Sequence, residues 1–169
     1  AMNEGLVSLS SPSSELRAFP EPGSKGSDSR VASSKVLIVD DERSVRITLR
    51  EFLVADGYDV ETAGDAREAR RLLGVSGFDV VVSDIVLPEM NGIELLKTIR
   101  ASVPFVQVIL MTGEPTVDTA AQALRVGAFD YLSKPVDKNT ILRIVGHAAK
   151  TKTLEDERRR LEKENRDYQ

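Results

Sequence analysis

The sequence predicts an α/β protein with a doubly wound, five-stranded parallel sheet, and three observations carry that expectation. Five short apolar runs rich in β-branched residues alternate with helical patterns from Lys35 onward. The connections are short, and crossovers between parallel strands are right-handed in nearly all cases, which leaves few topologies. Four of the five runs end on a chemically able side chain: Asp40 with Asp41, Asp84, Thr112 and Lys134. In an open parallel sheet ligands bind outside the carboxyl ends of the strands, so this fold would bring those four ends to one place.

Composition narrows the function. The chain has 169 residues, 41 % of them hydrophobic, enough for one domain of ordinary core size plus appendages. A formal charge of -4 gives no electrostatic reason to expect nucleic-acid binding. With no cysteine, disulfides and thiolate metal sites are excluded, which fits a reducing, cytoplasmic setting. No apolar run reaches the roughly 18 residues of a membrane span, and no basic start precedes an apolar block as in a secretory signal. The only histidine is His147, which rules out multi-histidine metal centres and argues against a self-contained histidine phosphorelay.

Residues 1–34 are rich in Ser, Gly, Pro and Glu, without period, and read as a disordered leader. Leu6, Val7, Leu9, Leu16 and Phe19 remain available there to dock on a partner or neighbour. The domain proper is expected over residues 35–149. Lys35 to Val39 suits a buried parallel strand. Val45, Leu49, Phe52 and Leu53 follow at helical spacing, with Ser44 as the expected N-cap and Gly57 as the stop. Tyr58 to Ala63 alternates as a second strand, and Asp65 can cap a helix from Ala66 to Leu73 that closes near Gly74 and Gly77. Phe78 to Ser83 is the third strand. Gly92 to Ala101 is a helix with Ile93, Leu96 and Ile99 inward, ended by Pro104. Phe105 to Met111 is the fourth strand, Thr116 to Val126 an alanine-rich helix stopped by Gly127, and Ala128 to Ser133 the fifth strand.

A last helical pattern starts near Asp137, with Ile141, Ile144, Val145 and Ala148 inward, and from Lys150 it runs on without Gly or Pro. Leu154, Leu161 and Tyr168 sit seven apart, and Thr151, Arg158 and Asn165 occupy the alternate seam positions. Leucine at one seam position and asparagine at the other suit a parallel two-stranded coiled coil, hence a homodimer through residues 150–169. Only about two heptads are present, so a solvated helix is the competing reading. The pattern is still running where the chain ends, which points to a helical linker leading to a further, output domain.

The strand ends suggest their own chemistry. Adjacent strand residues point to opposite faces, so Asp40 and Asp41 face one pocket together only beyond the strand end, which is where they stand. With Asp84 they form a trio of carboxylates that cannot all ionise without a counter-charge. A hard divalent cation with oxygen ligands, Mg²⁺ or Mn²⁺, is the simplest remedy. A carboxylate beside such a cation and an ammonium is equipped to attack phosphorus and form an acyl phosphate. Lys134 would then pair with the transferred phosphoryl group and Thr112 would give it a hydroxyl. A cis bond at Lys134-Pro135 would aim the lysine into the pocket. Taken singly, each residue also has an ordinary reading, as a solvated turn acid or a surface lysine before a proline.

As an ordered set they resemble a known family. KVLIVDDE (35–42), DIVLPEMNGIELL (84–96), VILMTG (108–113) and GAFDYLSKP (127–135) are similar, in order and spacing, to the receiver domain of two-component response regulators. The resemblance covers about two-thirds of the chain. It implies a flavodoxin-like sheet of strand order 2-1-3-4-5. Asp84 would be the phosphoacceptor, with Asp40, Asp41 and the Val86 carbonyl holding the metal beside it. Thr112 and Tyr131 match the switch pair, Lys134 the phosphate-pairing lysine and Pro135 the cis proline. A sensor histidine kinase is the implied phosphodonor, and the protein's only enzymology would be its own phosphorylation and dephosphorylation. Outputs joined to such linkers include cyclic-dinucleotide enzymes, sensor-kinase modules and ATPases acting on an alternative sigma factor.

Other functions fit less well. A hydrolase with an aspartyl nucleophile usually carries a second acid two residues on, where Val86 stands here. A flavin carrier wants a Ser/Thr-rich phosphate loop after the first strand, and Asp40-Asp41-Glu42 would repel a phosphate. A phosphorylation-independent scaffold or dimerisation module is the remaining alternative.

Overall fold

The computed structural model describes residues 34–168. Of the leader expected at 1–34, only Ser34 falls within them, and it is buried. Ten elements alternate strictly: β1 (Lys35–Val39), α1 (Arg43–Ala55), β2 (Asp59–Ala63), α2 (Ala66–Val75), β3 (Val80–Asp84), α3 (Gly92–Ser102), β4 (Gln107–Thr112), α4 (Val117–Val126), β5 (Asp130–Ser133) and α5 (Lys138–Asp167). The strands form one five-stranded sheet, all neighbours parallel, in the order 2-1-3-4-5.

Period-two alternation sorts the strand residues onto two cores. Val36, Ile38, Val80, Val82, Ile109 and Met111 pack under α1 and α5 with Leu49, Leu53, Ile141 and Val145. Leu37, Val39, Val81, Val108 and Leu110 face α2, α3 and α4 with Ala69, Leu95, Leu96 and Ala123. Both faces of the sheet are therefore covered, and every residue of the central β3 is buried. The edge strand β5 has no buried residue.

Local chemistry sets the boundaries. Asp65, Asn91, Thr116 and Asp137 each cap a helix by accepting the backbone N–H three residues on. Gly127 ends α4 with φ 103°, and Gly57 takes φ 100° after α1, a region an L side chain rarely adopts. The first helix departs from expectation: its N-cap is Glu42, without a side-chain cap, and Ser44 lies inside the helix. The reason is Asp40, whose Oδ1 accepts the Glu42 N–H at 2.9 Å and turns the chain into a helix earlier. The fourth strand also starts later than its apolar run, at Gln107. Arg100 donates to the carbonyls of Pro104 (3.0 Å) and Val106 (2.5 Å), which holds residues 104–106 in a turn and leaves Phe105 exposed. The other strand starts expected at Tyr58, Phe78 and Ala128 fall one or two residues early, whereas α2 runs past Leu73, through Gly74, to Val75.

The last helix is continuous for 30 residues, Lys138–Asp167, and at 1.5 Å per residue it spans about 45 Å. Its buried residues all lie between Ile141 and Ala149. Among the described residues, no helix is long and apolar enough to cross a membrane.

Candidate functional site

The carboxyl ends of β1, β3, β4 and β5 meet at one edge of the sheet. Asp40 continues the row Val36, Ile38, and Asp84 continues the row Val80, Val82, so alternation turns both carboxylates toward the same side. Lys134 directly follows β5. Its N–H donates to the Thr112 carbonyl at 2.7 Å, and the peptide bond to Pro135 is cis. The ammonium donates to Asp40 Oδ2 and Asp84 Oδ2, each at 2.9 Å, and Glu42 Oε1 lies 3.6 Å away. The second oxygen of each buried acid accepts a backbone N–H: Asp40 from Glu42, and Asp84 from Val86 at 3.0 Å.

Asp41 completes the trio. One carboxylate oxygen from each of Asp40, Asp41 and Asp84 lies within 4.8 Å of the others. Asp40 is fully buried and Asp84 nearly so, while Asp41 opens to solvent. Burial pushes the Asp40 carboxyl above its ordinary pKa, although the Glu42 N–H and the Lys134 ammonium pull it down. Burial acts to lower Lys134, but its hydrogen bonds to Asp84 and Asp40 outweigh that and hold it well above the usual lysine range. The ammonium is thus a permanent charge at neutral pH. Against three carboxylates it leaves an excess of negative charge, and an all-oxygen donor set of this kind suits a hard divalent cation.

Thr112 is buried beside these groups at the end of β4, where its hydroxyl accepts the Glu114 N–H at 3.1 Å. Tyr131 is half-buried against the core on the α2–α4 side, and its hydroxyl reaches outward to accept the Thr116 N–H at 3.4 Å, at the start of α4. These two residues are not hydrogen-bonded to each other; each instead contacts the loop that leads into α4. Val86 is 67 % exposed, on the rim.

Two supporting residues were not apparent as site residues in the sequence. The Arg46 guanidinium donates to the Asp40 carbonyl at 2.6 Å and braces the turn after β1. Gly92 is the closer constraint. A Cβ there would stand 2.5 Å from the Asp84 carbonyl oxygen and 2.8 Å from Ile85 Cα. Only glycine lets α3 start against the backbone that carries Asp84, and its N–H donates to Ile85 O at 2.6 Å. The Pro-to-Gly spacing of residues 88–92 was the available signal.

A doubly wound sheet of order 2-1-3-4-5 with a lysine-bridged acidic pocket at its carboxyl edge defines a receiver-type signalling domain. Residues 36–146 match the response regulator receiver domain, and the chain belongs to that family. It is 41 % identical over 130 residues to the regulatory protein AtoC of Escherichia coli K12, covering 77 % of this chain and 28 % of AtoC. It is 32 % identical over 123 residues to the DNA-binding transcriptional regulator NtrC of Azospirillum brasilense, 73 % of this chain and 26 % of that one. The chain therefore spans under a third of the length of these relatives. Among solved structures, the CheY-like receiver domain from Methanospirillum hungatei superposes with a TM-score of 0.70 at 29 % identity, covering 73 % of this chain and 98 % of that one. The beryllofluoride-activated NtrC4 receiver domain dimer superposes with a TM-score of 0.68 at 35 % identity, covering 70 % and 98 %.

Proposed function

We propose that this domain is a phosphorylation switch with Asp84 as phosphoacceptor. The observation that carries the reading is the Lys134 ammonium at 2.9 Å from both Asp40 and Asp84, inside a trio of carboxylates. A sensor histidine kinase supplies the phosphoryl group. The phosphorus–nitrogen bond of its phosphohistidine breaks, the electron pair staying on nitrogen, as an Asp84 oxygen bonds to phosphorus. Water later attacks phosphorus, releasing phosphate and restoring the carboxylate.

Asp40, Asp41, Asp84 and the Val86 carbonyl would hold Mg²⁺ or Mn²⁺, which when bound neutralises charge on the transferring group. The donor set fits, because three carboxylates within 4.8 Å exceed what one ammonium can balance. Lys134 exchanges its Asp84 oxygen for a phosphoryl oxygen. The Thr112 hydroxyl, released from the Glu114 N–H, donates to another, and Tyr131 gives up its contact at Thr116 and moves inward. The phosphoryl group shifts an equilibrium between two states through its different contacts in each.

Residues 35–149 form the receiver in this reading, and residues 150–169 a linker that pairs with a second copy. Leu154 and Leu161 are 57 % and 52 % exposed along one edge of α5, Tyr168 just past its end is 90 % exposed, and the NtrC4 receiver is described as a dimer. The names of the relatives, a regulatory protein and a DNA-binding transcriptional regulator, direct the reading toward transcriptional output through a further domain.

The test is Mg²⁺-dependent binding of beryllofluoride, a phosphoryl mimic, to the wild type and to Asp84→Asn, with mass followed by light scattering. Binding by the wild type alone, with mass rising toward twice the monomer, is expected. Equal behaviour of the two proteins would overturn the switch and leave a phosphorylation-independent scaffold.

A further inference from the structure

Beyond Ala149, α5 has left the hydrophobic core, yet one of its faces is still held. Residues 151–153, 155, 156 and 159 remain half-buried. The Lys152 ammonium lies 3.7 Å from Asp79 Oδ1 and pairs with Asp156 at 2.5 Å, one turn further on. Asp79 is itself anchored, since its Oδ2 accepts the Lys35 N–H at 2.8 Å at the start of β1. Further along, the Arg159 guanidinium sits 3.5 Å above the Phe105 ring and also pairs with Asp156. Its Nη1 is buried without a hydrogen-bond partner, so water is excluded from that side of the stack.

Between these two contacts along the helix stands the half-buried Glu155. Burial pushes the Arg100 guanidinium below its ordinary pKa, and the Glu155 charge acts to raise it. Arg100 fixes the turn carrying Phe105 and also donates to the Gly127 carbonyl at 2.9 Å, at the end of α4. The body that grips the linker is thus bonded to the helix that begins beside Thr112 and Tyr131.

We propose that Asp79 and Phe105, with Arg100 behind them, form a clamp for the linker helix that fixes how its apolar edge is presented to a second copy. At 3.6 residues per turn, the gripped row (Lys152, Glu155, Asp156, Arg159) and the seam row (Leu154, Arg158, Leu161, Asn165) are centred about 140° apart. The clamp holds the back of the helix and leaves the seam free. A second copy therefore docks without breaking the clamp, and a movement of the receiver body is carried into the seam. The proposal rests on the dimer reading only for the seam's occupant. Phe105, Lys152 and Arg159 act as positioning residues.

Backbone amide exchange separates the two ideas. It is measured on the 169-residue chain carrying Leu154→Gln and Leu161→Gln, which keep helix propensity while removing the seam, so that only the receiver holds the helix. Adding Phe105→Ala, a change off the helix at an exposed residue, is expected to speed exchange at amides 152–163 about tenfold while strand amides stay unchanged. Lys152→Ala with Arg159→Ala is expected to do the same. Alanine is the better helix former, so a lone helix would lose no intrinsic propensity. Unchanged exchange at 152–163 in both clamp variants, or an equal rise in the strands, would overturn the clamp. If one variant does not fold, the other decides. Should the clamp variants behave as expected while the protein with its native seam never self-associates, the clamp stands and the dimer reading falls.

Discussion

Asp40 shows how burial and function pull against each other. Its carboxyl has a pKa raised by desolvation, so the folded state holds the proton more tightly than the unfolded chain does. Stability from this group is fully present below its unfolded value, near 3.8, and is lost as pH rises through the folded value. Ionising Asp40 therefore costs the fold stability. Asp40→Asn, in chelator without divalent cation, should raise the urea midpoint at pH 7, with the gain vanishing below about pH 3.8. A lower midpoint at pH 7 would show that the Lys134 contact outweighs desolvation. The identity of the acids was legible in the sequence because each stands at the end of an apolar run. The Lys134 bridge joins positions far apart in the chain, and its lengths came only from the folded backbone.

At the scale of elements, caps and close approaches decide where each helix begins. Gly92→Ala would drive a Cβ into the Asp84 carbonyl and Ile85, and neither is a flexible side-chain end that can swing aside. A loss of about 1–3 kcal/mol in urea unfolding is expected, together with weaker beryllofluoride binding, because β3 and α3 must part. A stability change within ~0.5 kcal/mol would mean that the loop relaxes freely. Asp137 caps the 30-residue α5, and the Thr140 N–H holds its carboxyl below the ordinary range. Its contribution is present above its unfolded value near 3.8 and is lost as pH falls through the lower folded value. Asp137→Ala should lower stability at pH 7, with the difference from wild type closing in acid below pH 3.8. The Asp65 cap and the stop at Gly127 were readable from local sequence, since capping needs only three or four consecutive residues. Glu42 in place of Ser44 was not, because Asp40 captures the turn from within the site.

For the whole molecule, the long helix is the element on which the proposed dimer contact rests. Heptad spacing marks five of its positions from Leu154 to Tyr168 as a seam, and the seam leucines do stand exposed. Leu154→Gln with Leu161→Gln should abolish any beryllofluoride-driven rise in mass while leaving urea stability of the receiver within ~0.5 kcal/mol, as expected of exposed positions away from the core. Retention of the mass rise would move the dimer contact to another face. The clamp side of the same helix carried no signal in sequence. Lys152 and Arg159 lie off the seam spacing and Phe105 was expected in a strand, because their partners come from distant segments.

Short-range rules thus determined the alternation of strands and helices, the expectation of one parallel sheet, and the residue types at its carboxyl edge. Periodicity, capping and turn chemistry act over a few residues and are written directly in the chain. Tertiary structure alone decided which groups touch: the double bridge of Lys134, the fit of Gly92 against Asp84, and the grip of Asp79 and Phe105 on the last helix. Those contacts depend on loop closure and side-chain packing between remote segments, and no local pattern encodes their distances.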